Sequence, residues 1–179
     1  MKKILMLIAP QQFRDEELLV PRKALTAAGY TVDTASTKPG DATGMLGAKE
    51  PIALTFDDVE ATDYAAIIVV GGMGAPEFLW QNARVHQLLK QAAAAERITA
   101  GICLSGALPA LAGVAQGKRC TVYETPESLE ALKQGGTQYT AEPVTADGDV
   151  ITANGPDAAT AFAEAILARL QQKASLINA

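Results

Sequence analysis

Cys103 sits where an apolar run meets small residues, in the string Gly101-Ile102-Cys103-Leu104-Ser105-Gly106. A sharp strand-to-helix turn at a nucleophile needs small neighbours, because its backbone is strained and close to adjacent chain. Gly101, Ser105 and Gly106 supply them. If a helix starts under the sulfur, its free N–H groups and positive dipole end favour the thiolate, so the Cys103 pKa is expected to fall. The Gly72 N–H, in Val70-Gly71-Gly72-Met73-Gly74, and the Leu104 N–H are candidate donors to a developing oxyanion. A third chemically rich string is Phe13-Arg14-Asp15-Glu16-Glu17-Leu18. Acids in a first helical turn suit the dipole, yet Glu17 can also point toward the sheet end while a neighbour faces solvent. Cys120 lies on an expected strand and reads as packing. Together these strings offer a candidate thiol, backbone oxyanion donors and an acid-rich helix start.

Three strands must hold those strings. Ile4–Ile8, Ala65–Val70 and Ile98–Ile102 are continuous apolar runs, as in strands buried on both faces. Between and around them the spacing predicts helices over Asp15–Ala28, Val85–Ala95 and from Cys103 to about Val114. A further helix begins at Thr125-Pro126 and stops at Gly135-Gly136, and the last spans Asp157–Gln171. Tyr30–Ala35 alternates as a strand, Lys38–Gly47 reads as a loop, Pro51–Phe56 as a short extended piece, and Cys120–Tyr123 as a short strand. Pro143–Ala146 and Asp149–Ala153 flank Asp147-Gly148 as a hairpin. Buried strands alternating with helices make an α/β sheet covered on both faces, in one domain over residues 1–179. Ligands of such sheets bind at the carboxyl ends of central strands, which here are Ala9, Val70 and Ile102 onward.

Composition excludes several classes. The 15 Lys and Arg against 20 Asp and Glu give a net charge of −5, unsuited to a phosphate backbone, and no basic run offsets it. Aromatics are 5% of residues, too few for stacking platforms. Two Cys and one His make no recognisable zinc site. Lys2-Lys3 with Ile4–Ala9 is too short an apolar run for a signal peptide and acids follow at once, so a cytoplasmic protein that enters no membrane is expected. Gly72-Met73-Gly74-Ala75-Pro76-Glu77 is not a dinucleotide fingerprint. The acids near Glu17 argue against a flavodoxin phosphate loop. The glycines after Val70 argue against a phosphorylatable receiver.

In order and spacing the chain resembles the ThiJ/PfpI superfamily, which includes intracellular-protease-like proteins and the parkinsonism-associated deglycase. The likeness runs through Lys3–Ala9, the segment Phe13 to Leu18 with Pro21, Val69 to Gly72, and Gly101-Ile102-Cys103. It continues through Gly117-Lys118-Arg119, Thr121-Val122-Tyr123, Asp147-Gly148 and Asn154-Gly155-Pro156. The resemblance implies a flavodoxin-like three-layer sandwich with a mostly parallel sheet and a small hairpin. It places the nucleophile at Cys103 and its carboxyl partner at Glu17; Gly71, Met73, Glu77 and Tyr123 are candidate pocket residues beside them. It implies no cofactor, a small carbonyl substrate, and a homodimer or larger homo-oligomer.

Two further functions come with the family: oxidation sensing or chaperone-like behaviour through Cys103, and peptidase activity. The chain departs from the family pattern where many members have His after the Cys, since Leu104 stands there. Glu124 stands where Pro often follows the equivalent of Tyr123. Glu77 lies near the place of an acid that protease-like members draw from a neighbouring subunit. His86 reads as a surface residue, which leaves the peptidase without a base. Trp80 and Met73 are open to two readings, as pocket lining or as dimer contact.

Overall fold

In a computed structural model of the chain, the structure describes residues 2–177. The elements follow in order. First come β1 (Lys3–Leu7), β2 (Gln11–Phe13), α1 (Asp15–Ala27) and β3 (Thr31–Ser36). Then come β4 (Gly40–Gly44), β5 (Lys49–Ile52), β6 (Leu54–Thr55) and β7 (Ala66–Val69). Next are α2 (Ala75–Phe78), α3 (Ala83–Ala94), β8 (Ile98–Ile102) and α4 (Leu108–Leu111). The remainder is β9 (Arg119–Cys120), α5 (Pro126–Gln134), β10 (Gln138–Tyr139), β11 (Val144–Asp147), β12 (Val150–Ala153) and α6 (Ala159–Ile177).

Seven strands form the central sheet in the order β11-β12-β8-β7-β1-β3-β6. All its pairs are parallel except β11 with β12. Helices α1 and α6 cover one face, and α3, α4 and α5 the other. This is the flavodoxin-like sandwich. Ile4 to Ala9, Ala66 to Val70 and Ile98 to Ile102 are buried throughout, because both faces of their strands meet helices. The chain leaves β1 toward β3 and returns through β7 toward β8. The switch point of the sheet therefore lies between β1 and β7, where side chains from several strand ends converge.

Several expectations need correction. The stretch 38–47 is no plain loop: β4 pairs antiparallel with β5 and parallel with β2 in a separate three-stranded sheet. Its tip is fixed by Asp15, whose carboxylate accepts the Leu46 N–H at 2.9 Å and the Ala48 N–H at 2.8 Å. Such a side-chain anchor from a distant helix leaves no local trace in sequence. Of the expected strand Cys120–Tyr123, only Cys120 pairs, as the end of β9, which joins β10 in a two-stranded sheet. The hairpin loop is Gly148-Asp149, one residue later than expected: Asp147 faces Val150, and Gly148 takes the positive φ of 64°. The last helix begins at Ala159 after a 3₁₀ turn over Pro156–Ala158 and extends past Gln171. The helix expected from Cys103 to Val114 is instead a 3₁₀ turn over Cys103–Ala107 and one turn of α-helix over Leu108–Leu111.

Candidate active site

The three strand ends meet. After β8 the backbone turns at Cys103, which holds φ +59°, a left-handed conformation that L side chains rarely adopt. Three hydrogen bonds fix this strained turn. Ser105 Oγ donates to the Val70 carbonyl at 2.8 Å, Trp80 Nε1 to the Leu104 carbonyl at 2.9 Å, and the Tyr123 N–H to the Cys103 carbonyl at 3.1 Å. Trp80 therefore packs behind the turn and does not line the site cavity. Gly101 is required by space: a Cβ there would run into the Ser105 carbonyl.

The first turn of α1 spreads its three acids in three directions. Asp15 anchors the tip between β4 and β5. Glu16 takes two bonds from the Arg14 guanidinium, at 2.8 and 3.0 Å. Glu17 points inward and is fully buried. Its Oε2 accepts the Gly71 N–H at 3.0 Å, while the Gly71 carbonyl accepts the Arg14 N–H at 2.9 Å. Residue 71 thus clamps the start of α1 to the end of β7. A Cβ on Gly71 would stand 2.6 Å from the Cys103 Cβ and 2.6 Å from Glu17 Oε2, so only glycine lets the thiol and the carboxyl approach. Gly72, at φ +107°, and Leu104 both present backbone N–H groups to the sulfur.

Burial dominates the electrostatics. It pushes the Glu17 carboxyl up to about 8, against opposing pulls from the thiol, the Gly71 N–H and Arg14. Among the described residues, the buried Glu17 Oε1 has no hydrogen-bond partner, and Oε2 accepts the Gly71 N–H. The expected fall of the Cys103 pKa is overturned. Burial, then the charge on Glu17, push the thiol up to about 12, although the Gly72 and Leu104 N–H groups pull it down. The short 3₁₀ turn supplies two donors to the sulfur but not the aligned turns of a full helix dipole. Thiol and carboxyl form one coupled pair, whose first proton leaves well above the ordinary carboxylate range.

Above the sulfur opens a cavity of about 150 Å³, walled by Cys103, Leu104, Gly72 and Met73, with Tyr123 and Pro156 opposite. Arg14 and Met45 complete it. Of the sequence candidates, Cys103, Glu17, Gly71, Gly72, Leu104, Met73 and Tyr123 come together here. Glu77 does not: it is exposed on α2 and lines no part of this cavity. His86 also lies elsewhere, its Nε2 2.7 Å from the Trp80 carbonyl. It is half-buried on α3. Cys120 is fully buried and, like Cys103, free; burial pushes its thiol up to about 11. Sequence reasoning missed Arg14, Met45 and Pro156 as lining residues. Arg14 was within a string already singled out, but Met45 arrives only through the hairpin that Asp15 anchors.

The fold and the site define a class: an α/β sandwich with a strained cysteine at the end of a central strand, facing a buried carboxyl group. The chain belongs to the DJ-1/PfpI family, whose model matches residues 2–169. It is 42% identical over 170 residues to an uncharacterised protein of Methanocaldococcus jannaschii, covering 95% of this chain and 83% of that one. A protein of Pyrococcus horikoshii named a deglycase is 29% identical, covering 86% and 90%. The crystal structure of a ThiJ/PfpI domain protein from Brachyspira murdochii superposes with a TM-score of 0.89 at 32% identity, covering 96% and 97%.

Proposed function

We propose that the protein is a cofactor-independent thiol enzyme acting on small reactive carbonyls, of the glyoxalase or deglycase kind. The observation that carries this reading is the meeting of Cys103 and Glu17 under a cavity of about 150 Å³, with the Gly72 and Leu104 N–H groups beside the sulfur. So small a space suits a substrate of a few heavy atoms, below the roughly 300 Å³ where drug-sized sites begin. The deglycase names of relatives such as that of Pyrococcus horikoshii agree with it.

The chemistry balances without an oxidant. The sulfur attacks the aldehyde carbon of a 2-oxoaldehyde, and a C–S bond forms. The carbonyl π pair moves onto oxygen, held by the two N–H groups, and that oxygen takes the Glu17 proton. The sulfur's own proton has already gone to solvent, so this transfer leaves Glu17 as carboxylate. Glu17 then removes the hydrogen on the former aldehyde carbon and returns it to the neighbouring carbon, while the hydroxyl proton passes to the neighbouring oxygen. The product is a thioester, which water hydrolyses to a 2-hydroxy acid and free thiol. A raised carboxyl pKa suits these repeated transfers near neutral pH.

The peptidase reading lacks an imidazole at the sulfur, because His86 holds the Trp80 carbonyl. We also read the chain as a homodimer or larger homo-oligomer, on the exposure of Leu46 at 63% and Met73 at 62%. Light scattering during gel filtration measures that mass, and a monomer overturns it.

The test is proton NMR of 2-oxopropanal with purified protein. Wild type and Cys120→Ala produce the 2-hydroxy acid. Cys103→Ala and Glu17→Gln lose at least about 100-fold in rate. Turnover retained by either variant, or none by the wild type, overturns the proposal.

A further inference from the structure

A second, larger cavity of about 510 Å³ adjoins the cysteine cavity and shares Tyr123 and Pro156 with it. Its other walls include Glu124, Tyr139, Asn154 and Asp157. The thiol mechanism uses none of these four. Among the described residues no Lys, Arg or His lines this space, whereas Glu124, Asp157, Tyr123 and Tyr139 do. Among the residues of the cysteine cavity, Arg14 carries the positive charge. It is neutralised on the spot by its two bonds to Glu16. Tyr123 is half exposed at the junction of the two spaces.

We infer that the second cavity is a subsite for a cationic arm of the substrate, set by Glu124 and Asp157 with the rings of Tyr123 and Tyr139. This inference rests on the carbonyl reading above and specifies its substrate class: small carbonyl compounds whose far end bears an ammonium or guanidinium group, in preference to those ending in carboxylate. The physics is that of a cation held by two carboxylates at the rim and by aromatic faces, whose quadrupoles attract positive charge. Because Tyr123 and Pro156 border both spaces, a substrate with its carbonyl at the sulfur that reaches past them directs its charged end toward the larger one. Glu124 stands in a position that the sequence marked as unusual.

Two measurements test it. The first compares modification of Cys103 by three methanethiosulfonates: trimethylammonioethyl, sulfonatoethyl and neutral methyl. In each, the sulfur displaces methanesulfinate and forms a disulfide with the reagent's arm, and peptide mass mapping confirms the site. The wild type reacts at least about tenfold faster with the cationic than with the anionic reagent, after correction for their intrinsic rates. The double variant Glu124→Gln, Asp157→Asn lowers that ratio at least about threefold and leaves the neutral reagent within twofold. Both residues are exposed, so the fold is retained. An unchanged ratio, or faster anionic reaction in the wild type, overturns the inference.

The second measurement needs no reaction at sulfur. Tetramethylammonium shifts the backbone amides of Tyr123, Glu124 and Tyr139 saturably in the wild type and not in the double variant, while acetate does not shift them. Equal shifts by both ions, or none by the cation, overturn the subsite. Saturable cation shifts with a Cys103 inert to all three reagents retain the subsite and overturn the thiol chemistry instead.

Discussion

Replacing Glu17 by Gln separates the cost of burying a carboxyl from everything else in the protein. Glu17 is fully buried, and burial raises its pKa from 4.5 to about 8. A group with a raised pKa contributes its full stability below the unfolded value and loses it as pH rises through the folded value. At about 1.36 kcal/mol per pH unit, ionising Glu17 in place withdraws up to about 5 kcal/mol, of which about 3–4 kcal/mol falls between pH 5 and pH 8. Gln keeps an oxygen for the Gly71 N–H and never ionises. Urea unfolding of both proteins from pH 5 to pH 9 measures the difference, in which the other carboxylates cancel. The two are within about 1 kcal/mol of each other at pH 5. The variant becomes the more stable protein above about pH 7. Parallel curves across this range refute the claim that Glu17 rests protonated.

Other variants test the supports of the site. Gly71→Ala places a methyl group against the Ile102 carbonyl, the Cys103 Cβ and Glu17 Oε2, and costs about 3 kcal/mol together with carbonyl turnover, read by urea unfolding and NMR. Asp15→Ala removes the acceptor for the Leu46 and Ala48 N–H groups, costs about 2–3 kcal/mol, and speeds amide exchange at the tip that carries Met45. Ser105→Ala leaves the buried Val70 carbonyl without its hydroxyl donor and lowers stability by about 1 kcal/mol in the same unfolding assay.

The sheet was legible in the sequence because its central strands are buried on both faces and carry no alternation to confuse the reading. The positions of Cys103, Gly72 and Glu17 at strand ends followed from the rule that parallel sheets converge there. Asp15, Glu16 and Glu17 all suit the helix dipole; the resemblance singled out Glu17, but the Asp15 anchor of the β4–β5 tip and the Glu16 pairing with Arg14 come only from the fold. The raised thiol was not legible for a related reason. The sequence displays a turn after a strand but not how deeply the sulfur is enclosed, and enclosure outweighs two N–H donors. The β4–β5 hairpin went unread because 38–47 is rich in Gly and turn formers, and its order comes from a carboxylate more than thirty residues away.

The central claim, that Cys103 and Glu17 act as one proton-sharing nucleophilic pair, is tested most directly by alkylation of Cys103 with iodoacetamide across pH 6–10. The reactive form is the thiolate beside a protonated carboxyl, and its population follows the first ionisation of the pair. The wild-type rate therefore rises through about pH 8 and then levels. In Glu17→Gln the plateau disappears and the rate continues to climb with pH, because the buried thiol titrates alone. Identical profiles in the two proteins contradict the account.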